Sequence, residues 1–146
     1  MSLYVKYLAW LQATPKPSPG TKRAKMAEHA PPRLSRLDEM KKAGIRNPPM
    51  PPNPMPHIVD RLIDMGLTEA AGMGAVPLSW LTIDAWQRVT GVTIAPWEAR
   101  LIRKLSTDYL AMSRAAESEN CPAPWRAPIT AEQRASEVER LKLVLG

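Results

Sequence analysis

The sequence predicts an all-α protein: a small helical domain, preceded by a basic proline-rich arm and followed by an amphipathic helix. Three observations carry this. Apolar residues recur at spacings of three and four from His57 to Met65, from Trp80 to Val89, from Trp97 to Met112 and from Ala131 to Leu145. Helix starts and stops stand at the ends of these runs, at Ser79, Gly91, Pro96 and Thr130. No segment alternates with period two between hairpin turns, and no repeat period is visible.

A chain of 146 residues has room for one modest domain. Phe is absent and Pro numbers 16, so packing must come from aliphatic side chains, Met and five Trp. With Cys121 the sole cysteine, there is no intrachain disulfide, CxxC pair or Cys-rich zinc site, and His29 and His57 are the only imidazoles. Neither a metal nor a cofactor is expected. The net charge of +6 is unevenly spread. Residues 1–56 carry ten Lys/Arg against Glu28, Asp38 and Glu39, net +7, whereas residues 57–146 are net −1. The arm also holds eleven of the prolines, nine of them in Pro15-Lys-Pro-Ser-Pro19 and Pro48-Pro-Met-Pro-Pro-Asn-Pro-Met-Pro56 and two at Pro31-Pro32. Proline removes amide donors and disfavours helix at the preceding residue, so these stretches read as extended linkers. The expected organisation is an arm over 1–56 with short helices, a helical core over 57–126 and a terminal helix over 127–146.

Along the chain, Leu3 to Leu11 is too short and too polar at Lys6 for a signal or a membrane anchor. As a helix it aligns Leu3, Tyr7 and Trp10 on one face, either a docking helix or a frayed terminus. Met26 offers a second start of translation. Leu34, Leu37 and Met40 describe a short helix ended by Gly44. After the proline run, Ile58, Leu62 and Met65 form a stripe that stops at Gly66. Gly66 to Pro77 reads as a flexible connection with room for one helical turn; its Gly72-Met-Gly74 lacks the rest of a phosphate loop.

Ser79 caps the next helix, which runs through Trp80, Ile83 and Trp86 to Gly91. Pro96 opens a longer one, with Glu98 in its first turn and a stripe of Trp97, Leu101, Leu105, Tyr109 and Met112. Arg100, Arg103, Thr107 and Arg114 fill its outer face. Trp80, Trp86, Trp97, Leu101, Leu105 and Tyr109 are therefore the expected core. Cys121 to Pro128 is a proline-bearing loop whose Trp125 folds back, and Thr130 with Gln133 forms a capping box that opens the last helix.

The stretch from Ala75 to Ala111, with Ile83-Asp-Ala-Trp-x-x-x-Thr-Gly91, Pro96-Trp-Glu98 and a Tyr109-Leu-Ala step, resembles the tail assembly chaperones of tailed bacteriophages. The resemblance is specific over about residues 75 to 117, weaker from 57 and through Trp125, and silent for the arm. Family members often carry Ser or Thr before Pro-Trp-Glu, where this chain has Ala95. What the resemblance implies is a helper made with the late tail genes. It binds the tape measure protein, recruits tail tube subunits in the host bacterial cytoplasm and is absent from the virion.

The residues add candidate contacts to that implication. Leu3, Tyr7 and Trp10 form one spare apolar face, Val138, Leu141 and Leu145 another, and Met50 and Met55 in the proline run are soft side chains that the core does not claim. No Ser/His/Asp order, metal cluster or isolated carboxylate pair supports an enzyme. Two rival readings are a minor virion protein, since basic proline-rich arms suit lattices, and a helix-turn-helix DNA binder. The second is opposed by Pro96, Trp97 and Glu98 where a recognition helix would be polar, and by the net −1 of residues 57–146. Neither nucleic acid nor membrane is an expected partner.

Overall fold

A computed structural model describes residues 1–146. It contains seven helices, α1 (Ser2–Gln12), α2 (Lys22–Ala27), α3 (Arg36–Lys42), α4 (Pro56–Asp64), α5 (Trp80–Thr90), α6 (Pro96–Ala115) and α7 (Ala131–Leu145). Between α4 and α5 lies an antiparallel hairpin of β1 (Thr68–Ala71) and β2 (Gly74–Pro77). The fold is therefore mixed α/β, which corrects the all-α expectation. Gly66 to Pro77 is not a flexible connection: Thr68 pairs with Pro77 and Ala71 with Gly74 around a two-residue turn at Gly72-Met73. Gly74 has φ 119°, a conformation that suits glycine.

The hairpin is held from outside. Ser106, fully buried on α6, donates its hydroxyl to the Leu67 carbonyl at 2.6 Å and accepts the Leu78 amide at 2.9 Å, so one side chain ties both ends of the hairpin. Arg114 donates to the Ala75 carbonyl at 2.8 Å. Glu69 accepts the Ser79 amide at 2.7 Å and hydroxyl at 2.9 Å, joining β1 to the N-terminus of α5. Strands of four residues rich in Ala and Gly have little propensity of their own, and these ties supply what propensity does not.

The core is one cluster that gathers Val5 from α1, Ile58, Val59 and Leu62 from α4, Leu78, Ile83, Ile94, and Ile102 and Leu105 from α6. Helix α6, 20 residues and about 30 Å long, is the spine, and α1 lies along it. Val5, Tyr7, Ala9 and Leu11 are all buried. The first helix thus packs into the core that the residues from Ile58 onward build, which is the place of neither a separate docking helix nor a frayed terminus. The stretch of the arm from Lys16 to Arg36 is strapped to the far end of α6. Lys16 exchanges backbone bonds with Glu117 and Glu119 at 2.7 and 3.0 Å, and Arg23 and Arg33 both reach the Glu119 carboxylate, at 3.2 and 3.3 Å. Arg36 donates to the carbonyls of Trp10, Ala116 and Ser118 while lying 4.6 Å over the Trp10 ring. One guanidinium thereby closes the C-terminal ends of α1 and α6 together.

Only 17 of 146 residues are buried, so each contributor weighs heavily. Burial of Val5 and Leu11 contributes about 1.5–3 kcal/mol apiece, against a total for such domains of about 5–15 kcal/mol. Deleting residues 1–13 is therefore expected to abolish the cooperative thermal melt followed by circular dichroism; a chain begun at Met26 would behave likewise. At the other end of α1, the Ser2 hydroxyl donates to Asp108 at 2.6 Å and Lys104 reaches the same carboxylate at 2.9 Å. Burial disfavours the Asp108 carboxylate, but Ser2, Lys104 and Lys6 more than offset it, and its pKa lies below the ordinary value. A depressed carboxylate stabilises the fold above its unfolded pKa, and that stabilisation fades as pH falls through about 4 and below. Asp108→Asn should lower stability at pH 7 by roughly 1 kcal/mol, allowing for screening at Lys104, and flatten the acid limb of stability against pH.

Candidate interaction surfaces

No cluster of His, Cys, Asp and Glu is arranged to hold a metal ion, and no helix is long and apolar enough to cross a membrane. The features that stand out are surfaces. The most prominent is α7. Its start is defined by a complete capping box, the Thr130 hydroxyl accepting the Gln133 amide at 3.2 Å and the Gln133 side chain accepting the Thr130 amide at 3.0 Å. Yet every residue from Arg126 to Gly146 is exposed. Val138, Leu141, Leu143, Val144 and Leu145 stand between 48% and 85% exposed. Val138, Leu141 and Leu145 follow one stripe at spacings of three and four. The connection back to the body is anchored where Trp125 meets the edge of Tyr7, with ring centroids 5.4 Å apart, and where the Trp10 indole N–H donates to the Cys121 carbonyl at 3.0 Å.

That anchoring consumes the face of α1 expected to be spare. Tyr7 is buried, stacked on Trp10 and covered by Trp125, while Trp10 is covered by Arg36; Leu3 remains 41% exposed. Tyr7 and Trp10 of the expected α1 face are thus engaged within the chain, and Leu3 is not. In the proline run, Met50 is half-buried beside the buried Pro51, and Met55 packs against the core cluster, so the core does claim Met55. Among the expected core residues, Leu105 is buried, and Leu101, Tyr109 and Trp86 are partly buried against the cluster. The Trp86 indole also donates to Asp64 at 2.6 Å, tying α5 to α4. Trp80 and Trp97 are corrections: they are 48% and 52% exposed. The buried face of α6 centres on Ile102, Ser106 and Leu110, turned by about a quarter of a revolution from the expected stripe. Trp97 lies well away from it, on the far side of the helix.

The motif residues have structural roles. Gly91 takes the left-handed conformation, φ 71°, that ends α5, and the Thr90 hydroxyl caps the Trp86 carbonyl at 2.7 Å. Pro96 occupies the first turn of α6. Ala95 has no side-chain oxygen with which to cap, and Glu98 compensates by accepting the Ala95 amide at 3.2 Å. The same carboxylate takes the Arg61 guanidinium at 3.2 Å, with His57 at 3.7 Å, so Pro96-Trp-Glu98 pins the start of α6 to α4.

The sequence of these elements decides the family, for a family model described as phage tail assembly chaperone matches residues 24–111. The chain belongs to this family. The match runs from α2 through most of α6 and takes in the second half of the arm, where the sequence resemblance was silent. It leaves out α1 and α7, one packed into the core and the other bare. The family is one of assembly helpers, a role that calls for binding surfaces. No curated protein and no solved structure matches the chain.

Proposed function

We propose that this tail assembly chaperone binds the tape measure protein of its phage through α7, keeps it soluble and helps recruit tail tube subunits, acting in the host bacterial cytoplasm and leaving the finished virion. The observation that carries the proposal is the bare apolar stripe of Val138, Leu141 and Leu145 on a helix with no buried residue. A 15-residue helix is marginal in water. Beyond its capping box and the dipole-matched charges of Glu132 and Lys142, no packing within the chain supports α7, whereas an amphipathic partner would bury its stripe in the usual helix-in-groove manner. A rod-like client with apolar stripes still uncovered needs such masking until tube subunits arrive. A DNA-binding role for the α5–α6 pair is disfavoured by Glu98, which places a carboxylate in the first turn of α6, and by Trp97 beside it.

Leu141→Asp with Leu145→Asp is expected to lower recovery of soluble tape measure protein on co-expression at least several-fold, while the melt of the chaperone stays unchanged because neither side chain is buried. Undiminished capture by the double variant would refute the assignment to α7. Recovery of the chain in stoichiometric amount from purified particles would instead make it a structural component of the virion.

A further inference from the structure

We propose that the groove between the outer face of α6 and the base of the hairpin is a second docking surface, which takes an acidic protein segment. Arg100, Arg103, Lys104, Thr107 and Arg114 recur at spacings that put them on one side of α6. Together with Val76 and Trp80, the first four line an open groove of about 580 Å³. Arg114 holds the hairpin beside it through the Ala75 carbonyl. Trp80 is 48% exposed and carries the Arg103 guanidinium 4.9 Å from its ring centroid, so the arginine is held in place over an apolar floor.

The arginine charge in this groove has no carboxylate partner. No carboxylate lies within 4.0 Å of Arg100, Arg103 or Arg114, whereas Arg61, Arg88, Arg23 and Arg33 all have one. Glu69, which lines the groove, and Asp108, the partner of Lys104, are already committed. Glu69 caps Ser79 at the start of α5, and Asp108 is taken by Lys104 and Ser2. The groove therefore presents two free guanidinium groups about one helical turn apart beside exposed indole and valine surface. A peptide can set carboxylates against Arg100 and Arg103, in the forked geometry guanidinium favours, and lay an apolar side chain on Val76 and Trp80. A nucleic acid fits less well. A run of phosphates draws its affinity from many cations at once, whereas residues 57–146, which hold the groove, are net −1.

The test uses the full chain and a short fluorescein-labelled peptide in which Glu and Leu repeat at helical spacing, with fluorescence anisotropy as the readout. A peptide carrying Lys for every Glu and a labelled single-stranded DNA serve as comparisons. The Glu peptide should bind, the Lys peptide should not, and amide shifts in a nuclear magnetic resonance titration should cluster at residues 76–80 and 100–107. Arg100→Glu with Arg103→Glu should weaken binding at least about tenfold, each reversal turning an attraction into a repulsion. The milder Arg100→Gln with Arg103→Gln should weaken it less, with the melt unchanged. Arg134→Glu with Arg140→Glu, the same change of net charge on α7, should leave binding intact, as should Leu141→Asp with Leu145→Asp; the outcome is thus independent of the α7 reading. Absence of binding by the Glu peptide, or equal losses from both charge-reversal pairs, would overturn the proposal. DNA binding tighter than that of the Glu peptide and lost in the Arg100/Arg103 variant would overturn it in favour of nucleic acid.

Discussion

The packing of α1 along α6 is the constraint on which the rest of the molecule depends. It joins residues about a hundred positions apart, and it is secured at both ends by polar groups. Ser2 meets Asp108 at one end; Arg36 gathers carbonyls from Trp10, Ala116 and Ser118 at the other. Between them Val5 meets the cluster that includes Ile102 and Leu105. Closing such a long loop costs entropy that only the completed core offsets, so the first helix and the spine should form as one cooperative unit.

Once that frame is set, the remaining elements add apolar side chains to the same cluster and are positioned by a few polar ties. Ser106 and Arg114 hold the hairpin, Glu69 fixes it to α5, Asp64 takes the Trp86 indole, and Glu98 links α6 to α4. Each such bond contributes on the order of 1 kcal/mol net, and more when the partner is charged and sheltered. A body of this kind is economical in apolar residues, which leaves others free. Leu81 and Val89 on α5, Met73 at the hairpin tip and the whole stripe of α7 face solvent. For a tail assembly chaperone that masks a client in the way proposed above, this is a fitting division between a small core and large outward faces.

The helix ends were legible in the sequence because capping is a local matter. Ser79, Gly91, Pro96 and the Thr130–Gln133 pair act within one turn, and each stands where the reading put it. The hairpin was not legible, because it depends on Ser106 and Arg114, which lie 28 to 39 residues away from the groups they bind. Ser106 also misdirected the reading of α6: a polar residue at the centre of the buried face looks like the edge of a stripe, and the apparent stripe swung toward Trp97. The bare α7 was visible as an amphipathic helix in search of a partner, whereas α1, with the same kind of pattern, proved to be core. Nothing in either pattern distinguishes the two, since the difference lies in whether a complementary face exists elsewhere in the chain. The groove at Trp80 and Arg103 was missed for a related reason. An outer face of arginines reads as solvated until the hairpin beside it is known.

The division between a frame built on α1 and α6 and an unsupported α7 is tested most directly by native-state amide hydrogen exchange on the free full-length chain. The account predicts that amides of α1, α4 and α6 exchange most slowly and by a common opening, while those of α7 exchange at rates close to those of an isolated helical peptide. Exchange of α1 as fast as that of α7, or protection of α7 equal to that of α6, would contradict it.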